Sequence, residues 1–252
     1  MSIRIRDLVH RYQGFELRVP ALDFPSAALT AIVGPNGAGK TTLLKCLSGI
    51  LPSPRGSVFV EGRDLATLPE AARARKLAYV PQEHSSAFNY AIIDFVLMGR
   101  TAYVPLFATP SDDDTAAAME ALDYVGLARY AGRAYTQLSS GERRLVLIAR
   151  ALAQDADSLV LDEPTTFLDP KHETGLMDLV RKLAVEKKKT VLVTLHNLDA
   201  AVRYSDMLVF LKEGRVVSAG RPAEILSADL LERVYDIPMS ILEHAGRKFI
   251  VR

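Results

Sequence analysis

An α/β fold is predicted, with a mostly parallel sheet, an antiparallel β region at the N-terminal end and an inserted α-helical block. Three observations predict it. The runs LTAIV (29–33), SLVLD (158–162) and TVLVTLH (190–196) begin as short, apolar segments, the mark of strands buried on both faces. They alternate with helix-patterned segments, which places helices on both faces of a parallel sheet. Between residues 86 and 154 the strand character disappears and the pattern becomes helical. The reading is therefore one domain of 252 residues: a core from 1–85 and 155–235, a helical insertion at 86–154, and a tail at 236–252.

Taken in order, SIRIRDLVHRY and GFELRVPAL are two strands joined at Gln13 and Gly14. LTAIV runs into a glycine-rich loop, and the apolar helix GKTTLLKCLSGI follows. GSVFVEG and KLAYVPQ are further strands. The insertion carries YAIIDFVLMGR, then SDDDTAAAMEALDYVGL, which Ser111 starts with Asp113 and Asp114 behind it, then TQLSSGERRLVLIARAL. DMLVFLKEGRVVSAG is a hairpin around Glu213 and Gly214, and short helices from Pro222 onward close the main fold.

The totals exclude several classes. A formal net charge of +1 gives no global field to attract nucleic acid or anionic lipid. The run Lys187, Lys188, Lys189 reads as a solvated helix end. A single cysteine, Cys46, rules out a disulfide framework and reads as a packed thiol in a reducing compartment. No stretch approaches 18 uninterrupted apolar residues, and MSIRIRDLVHRY alternates like a strand, without a signal-peptide core.

GPNGAGKTT (34–42) fits G-x-x-x-x-G-K-[ST], directly after a buried strand and directly before an apolar helix, the context the motif needs. Backbone amides must converge on phosphate oxygens. The loop therefore needs Gly34, Gly37 and Gly39, which accept unusual dihedrals and carry no side chain. Lys40 offers an ammonium to the β- and γ-phosphates, Thr41 a hydroxyl to Mg²⁺, and the helix start points at the same phosphates. Pro35, Asn36, Ala38 and Thr42 complete the nucleotide-binding segment.

SLVLDEP ends a buried strand with Asp162 and Glu163, a costly pair unless they find partners. Mg²⁺ suits Asp162, through water, and Glu163 is placed to act as general base on an attacking water. Pro164 stops the strand. The third motif is LSSGE. Ser139 is an N-cap with Glu142 three residues on, a capping box. Two serines and a glycine at a helix start, where free amides and about half a positive charge gather, also suit an anion.

With these motifs together, the chain resembles the ATP-binding subunit of ATP-binding-cassette transporters, from Ile3 to about Asp236. The resemblance implies a P-loop NTPase (RecA-like) core with a helical subdomain, ATP and Mg²⁺ as ligands, and ATP hydrolysis as the reaction. It implies that Gln82 touches Mg²⁺ or the attacking water, that His196 donates to the γ-phosphate and that Tyr12 stacks on adenine. Asp169 would meet the other subunit. Ser139, Ser140, Gly141 and Glu142 would bind ATP held by a second copy, in a head-to-tail homodimer sandwiching two ATP molecules. Ser140 departs from the family's glycine and adds a side chain where backbone approaches phosphate. PSAALTAIV lacks the usual Gly-Glu, and Asn197 replaces an aspartate after the histidine.

The resemblance further implies integral membrane permease subunits as partners, an extracytoplasmic substrate-binding protein acting indirectly, and a place on the cytoplasmic face of the membrane. Phe88 and Tyr90 are candidate permease contacts. DFVLMGR, YVPLFATPSDDD and LDPKH resemble importers of metal chelates: iron-siderophore, haem or cobalamin. Zinc, manganese and molybdate importers are the alternative. A DNA-clamp ATPase would need a coiled-coil insertion or DNA-binding domains, and a GTP switch an Asn-Lys-x-Asp, where this chain has only NLDA.

Overall fold

The computed structural model describes residues 3–82, 89–105, 107–244 and 247–251. The first two strands, β1 (Ile3–Tyr12) and β2 (Phe15–Phe24), form an antiparallel hairpin. Its two turn residues, Gln13 (φ 44°) and Gly14 (φ 85°), are both left-handed, which matches the twist of the flanking strands. Next come β3 (Leu29–Val33), α1 (Lys40–Leu47), β4 (Val58–Val60), β5 (Arg63–Asp64), α2 (Glu70–Ala74) and β6 (Leu77–Val80). Three helices separate β6 from the next strand: α3 (Ile92–Leu97), α4 (Asp112–Tyr124) and α5 (Ser140–Ala153).

The chain then alternates through β7 (Ser158–Leu161), α6 (Pro170–Val185), β8 (Thr190–Thr194), α7 (Leu198–Tyr204) and β9 (Met207–Lys212). It closes with β10 (Arg215–Gly220), α8 (Pro222–Ile225), α9 (Ala228–Tyr235), β11 (Ser240–His244) and β12 (Arg247–Val251). The stretch 236–252, read from sequence as a tail, thus contains a small antiparallel sheet. Its Ile250 amide donates to Asp199 Oδ1 on α7 at 3.0 Å.

The large sheet has the order β5-β4-β1-β2-β10-β9-β3-β8-β7-β6. From β9 to β6 every pairing is parallel; β1, β2, β4 and β5 pair antiparallel among themselves, and β10 joins the two parts, parallel to β2 and antiparallel to β9. Period-2 alternation divides the parallel strands between two cores. Leu29, Ala31 and Val33 join a core shared with residues of α5, α6, α7 and α9, while Ile32, Val160 and Leu192 join a second core shared with α1. Cys46 lies fully buried in the second core, where burial pushes its thiol up to about 11, so it packs as an inert thiol. Lys187 and Lys189 have acidic neighbours, Glu120 and Asp155, as well as solvent. No helix among the described residues is long and apolar enough to cross a membrane.

This topology fixes where chemistry gathers. Strands β3, β6, β7 and β8 are parallel neighbours, so their C-terminal ends share one edge of the sheet. That edge is where open α/β sheets bind ligands. The phosphate loop follows β3, Gln82 follows β6, the carboxylates follow β7 and His196 follows β8.

Candidate functional site

The phosphate loop is shaped by the chain's own packing. A Cβ at Gly34 (φ 156°) would stand 2.0 Å from the Leu211 carbonyl oxygen on β9. At Gly39 (φ 100°) it would meet the Phe15 ring at 2.7 Å. Gly39 caps α1 with no side-chain hydrogen bond, which leaves the first-turn amides of that helix to a ligand. Lys40 is only 5% exposed, and its Nζ donates to Gly34 O at 2.9 Å and Pro35 O at 3.1 Å. Burial holds its pKa below the ordinary lysine range, while the Glu163 and Asp162 carboxylates oppose that shift. Tyr12, Phe15, Asn36, Gly37, Ala38, Thr41, Thr42 and Glu163 join Gly39 and Lys40 around a cleft of about 470 Å³. Tyr12 itself is 64% exposed and pairs with Phe15 across the hairpin turn.

The two carboxylates differ in their surroundings. Asp162 is buried and accepts three hydrogen bonds: from Thr41 Oγ1 (3.1 Å), Thr194 Oγ1 (2.9 Å) and Tyr79 Oη (2.9 Å). Burial, then the facing Asp162 carboxylate, pushes the Tyr79 phenol well above its usual pKa, so the hydroxyl stays a donor. Glu163 has a left-handed backbone (φ 46°), a strained conformation for a glutamate, and its amide donates to Thr194 Oγ1 at 2.7 Å. One Thr194 hydroxyl therefore fixes both acids. The Glu163 carboxylate meets His196 Nε2 through Oε1 at 2.7 Å. Its Oε2 accepts from Gln82 Nε2 at 2.6 Å and from Thr166 Oγ1 at 3.3 Å.

Lys40, Thr41, Gln82, Asp162, Glu163 and His196 thus come together. Gln82 reaches Glu163, while Thr41 reaches Asp162. The LSSGE segment and Asp169 do not line the phosphate-loop cleft. Ser139 caps α5 and forms a complete capping box with Glu142. The Ser139 amide donates to Glu142 Oε2 at 2.9 Å, and Ser139 Oγ accepts from the Glu142 amide at 3.3 Å. Ser139 and Ser140 are exposed. Gly141 rests on the His172 ring with room to spare: a Cβ there would sit 3.6 Å from Cδ2, an ordinary contact. Asp169 caps α6 and pairs with His172 Nδ1 at 2.6 Å. Its pKa is held below the usual carboxylate range, first by the His172 amide. Asn197 caps α7 and donates to Glu173. Tyr90 is partly exposed, and Phe88 lies outside the described residues.

Four residues that the sequence reading passed over belong to this region: Phe15, Tyr79, Arg144 and Thr194. Phe15 could have been found from its place opposite Tyr12 in a two-residue hairpin. Thr194 is a hydroxyl closing a buried apolar strand. Arg144 lies one turn before Leu147 and Ile148, on the buried face of α5, where a cation stands out. Tyr79 gives no signal distinct from an ordinary strand tyrosine.

The family model described as ABC transporter matches residues 17–166. The cobalamin import ATP-binding protein BtuD of Halobacterium salinarum is 42% identical over 213 residues, which is 84% of this chain and 53% of that protein. The chain therefore spans about half the length of that relative. The hemin import ATP-binding protein HmuV of Rhodococcus jostii is 40% identical over 89% of this chain and 76% of its own length. Among solved structures, one described as a metal-chelate type ABC transporter in an inward-facing conformation matches with a TM-score of 0.86 at 31% identity. It covers 99% of this chain and 96% of that one.

Proposed function

This chain belongs to the ABC transporter family, and from that premise we propose that it is the ATP-binding and ATP-hydrolysing subunit of a metal-chelate importer. The observation that carries the reading is the gathering of a buried lysine, a Thr41–Asp162 pair and a strained glutamate at the edge of one cleft. Charge-bearing groups are buried at that cost when a ligand is to be met.

In this reading Lys40 leaves the carbonyls of Gly34 and Pro35 and turns to the triphosphate, joining the amides of the loop. A hydroxyl and a carboxylate oxygen 3.1 Å apart are hard donors that fit Mg²⁺, so Thr41 and Asp162 are the residues that would hold it. The ion supplies charge neutralisation at the phosphates when bound. Tyr79 and Thr194 hold Asp162 in orientation. Glu163 takes the proton of the attacking water. To do so it must exchange its hydrogen bonds to Gln82 and His196 for the water, and His196 then becomes free to donate to the transferring group.

A homodimer supplies the remainder of the pocket: the start of α5 and Asp169 face the triphosphate held by a second copy. Permease subunits carry the cargo across the membrane, this chain works at its cytoplasmic face, and a substrate-binding protein delivers the cargo outside. The relatives named for cobalamin and hemin import support a chelate as cargo.

Glu163→Gln tests the base. ATP binding persists and turnover falls at least about 10²-fold, roughly 3 kcal/mol of barrier. Near-parental hydrolysis in that variant would remove Glu163 from its role.

A further inference from the structure

Helix α5 is strapped to β6 at both ends. At its C-terminal end Gln154 Nε2 donates to the carbonyl of Leu77, the first residue of β6, at 3.0 Å and to that of Ala74 just before the strand. Near its start Arg144, 9% exposed, donates from one guanidinium nitrogen to the carbonyls of Pro81 (3.1 Å) and Gln82, just past the end of β6. Dehydrating a guanidinium is costly, and charge-assisted bonds to two consecutive carbonyls fix the peptide between them. That peptide sets where Gln82 projects, and the Gln82 amide lies on Glu163 Oε2. Ser139 and Gly141 stand within about a turn of Arg144 on the same hydrogen-bonded helix.

We propose that Arg144 is a positioning residue that carries engagement of the exposed α5 start to Glu163, by way of Gln82. When the first turn of α5 shifts on meeting its anion, Arg144 moves with it. The Pro81–Gln82 peptide follows, and the Gln82 amide changes its hold on the base. The base is thereby matched to the state of the far helix start. This rests on the proposed roles of Glu163 as base, of Gln82 as its partner and of the α5 start as the anion site.

A double-mutant cycle on the full chain tests it: Arg144→Met, Gln82→Ala and both together, with kcat, KM for ATP and ATP affinity measured for each. Arg144→Met lowers kcat about 10-fold with KM within about 2-fold of the parent, and the double variant is no slower than Gln82→Ala within about 2-fold, because both act on one link. Arg144→Lys, which keeps a cationic donor, recovers most of the loss. Should Arg144→Met not fold, Arg144→Gln takes its place in the cycle. Losses that multiply, or an Arg144 effect on KM alone, would overturn the route. A slow Gln82→Ala beside an unaffected Arg144→Met would also overturn it while leaving the Gln82 assignment intact. An unaffected Gln82→Ala would overturn that assignment itself.

Discussion

Two helix starts bring glycine and hydroxyl residues together, α1 at the end of the phosphate loop and α5 at residues 139–141, yet they are built by opposite means. At α1 two glycines answer to the chain's own interior: a side chain at Gly34 would strike the Leu211 carbonyl and one at Gly39 the Phe15 ring. That helix has no side-chain cap. At α5 a serine and a glutamate form a full capping box, the surface is open, and Gly141 has space for a methyl group. The lesson is that a glycine required by folding and a glycine required by a ligand can be told apart by what a Cβ would meet. Gly34 and Gly39 at the first start are accounted for inside one chain. The second has a glycine that this chain alone does not explain.

The strongest way to break the comparison is a pair of alanines. Gly34→Ala costs at least about 3 kcal/mol of folding stability, since β3 and β9 must move apart and a left-handed backbone is lost, and it is read in urea unfolding. Gly141→Ala leaves stability within about 0.5 kcal/mol and still cuts ATP turnover about 10²-fold. Equal losses of stability at both positions would erase the distinction.

The serine caps give a smaller contrast. Ser111 caps α4 with Asp114 in the same kind of box that Ser139 and Glu142 make on α5. Ser111→Ala and Ser139→Ala should each cost about 1 kcal/mol of stability. Only Ser139→Ala should also impair ATP turnover. A matching loss of turnover in Ser111→Ala would show that the α5 cap does nothing beyond holding its helix.

The smallest effect is in acid. The Ser111 amide, then Arg100, holds Asp114 down to about 2 from the usual 3.8. A carboxyl whose folded pKa is depressed adds stability above its unfolded pKa and loses it as pH falls through the folded one. Asp114→Asn should therefore be less stable than the parent near pH 6, and the difference should vanish between about pH 4 and pH 2. A difference constant across that window would contradict the assignment.

Much of this was readable from the chain because the parallel strands advertise themselves. Mostly apolar runs leading to Gly34, to Asp162 and to His196 place three motifs at one sheet edge once the strands are parallel. The α5 capping box and the start of α4 at Ser111 follow from local spacing alone; that Asp114 completes a second box does not. The hydrogen-bond partners of the site residues did not follow. That Gln82 grips Glu163, that one threonine serves two acids, and that Arg144 holds two carbonyls all depend on side chains from separate elements meeting in space. The sheet at β11 and β12 was missed for another reason. Its strands leave Leu242, Phe249 and Val251 largely exposed, so burial imposes no clean alternation there.

The central claim is that the α5 start acts on the triphosphate held by another copy. It is tested most directly by mixing two inactive chains, one carrying Lys40→Ala and the other Gly141→Ala, and measuring ATP hydrolysis across mixing ratios. Each mixed pair joins an intact cradle to an intact α5 start once, so an equal mixture should recover roughly a quarter of parental turnover. Mixtures that never exceed the separate chains, at any ratio, would contradict it.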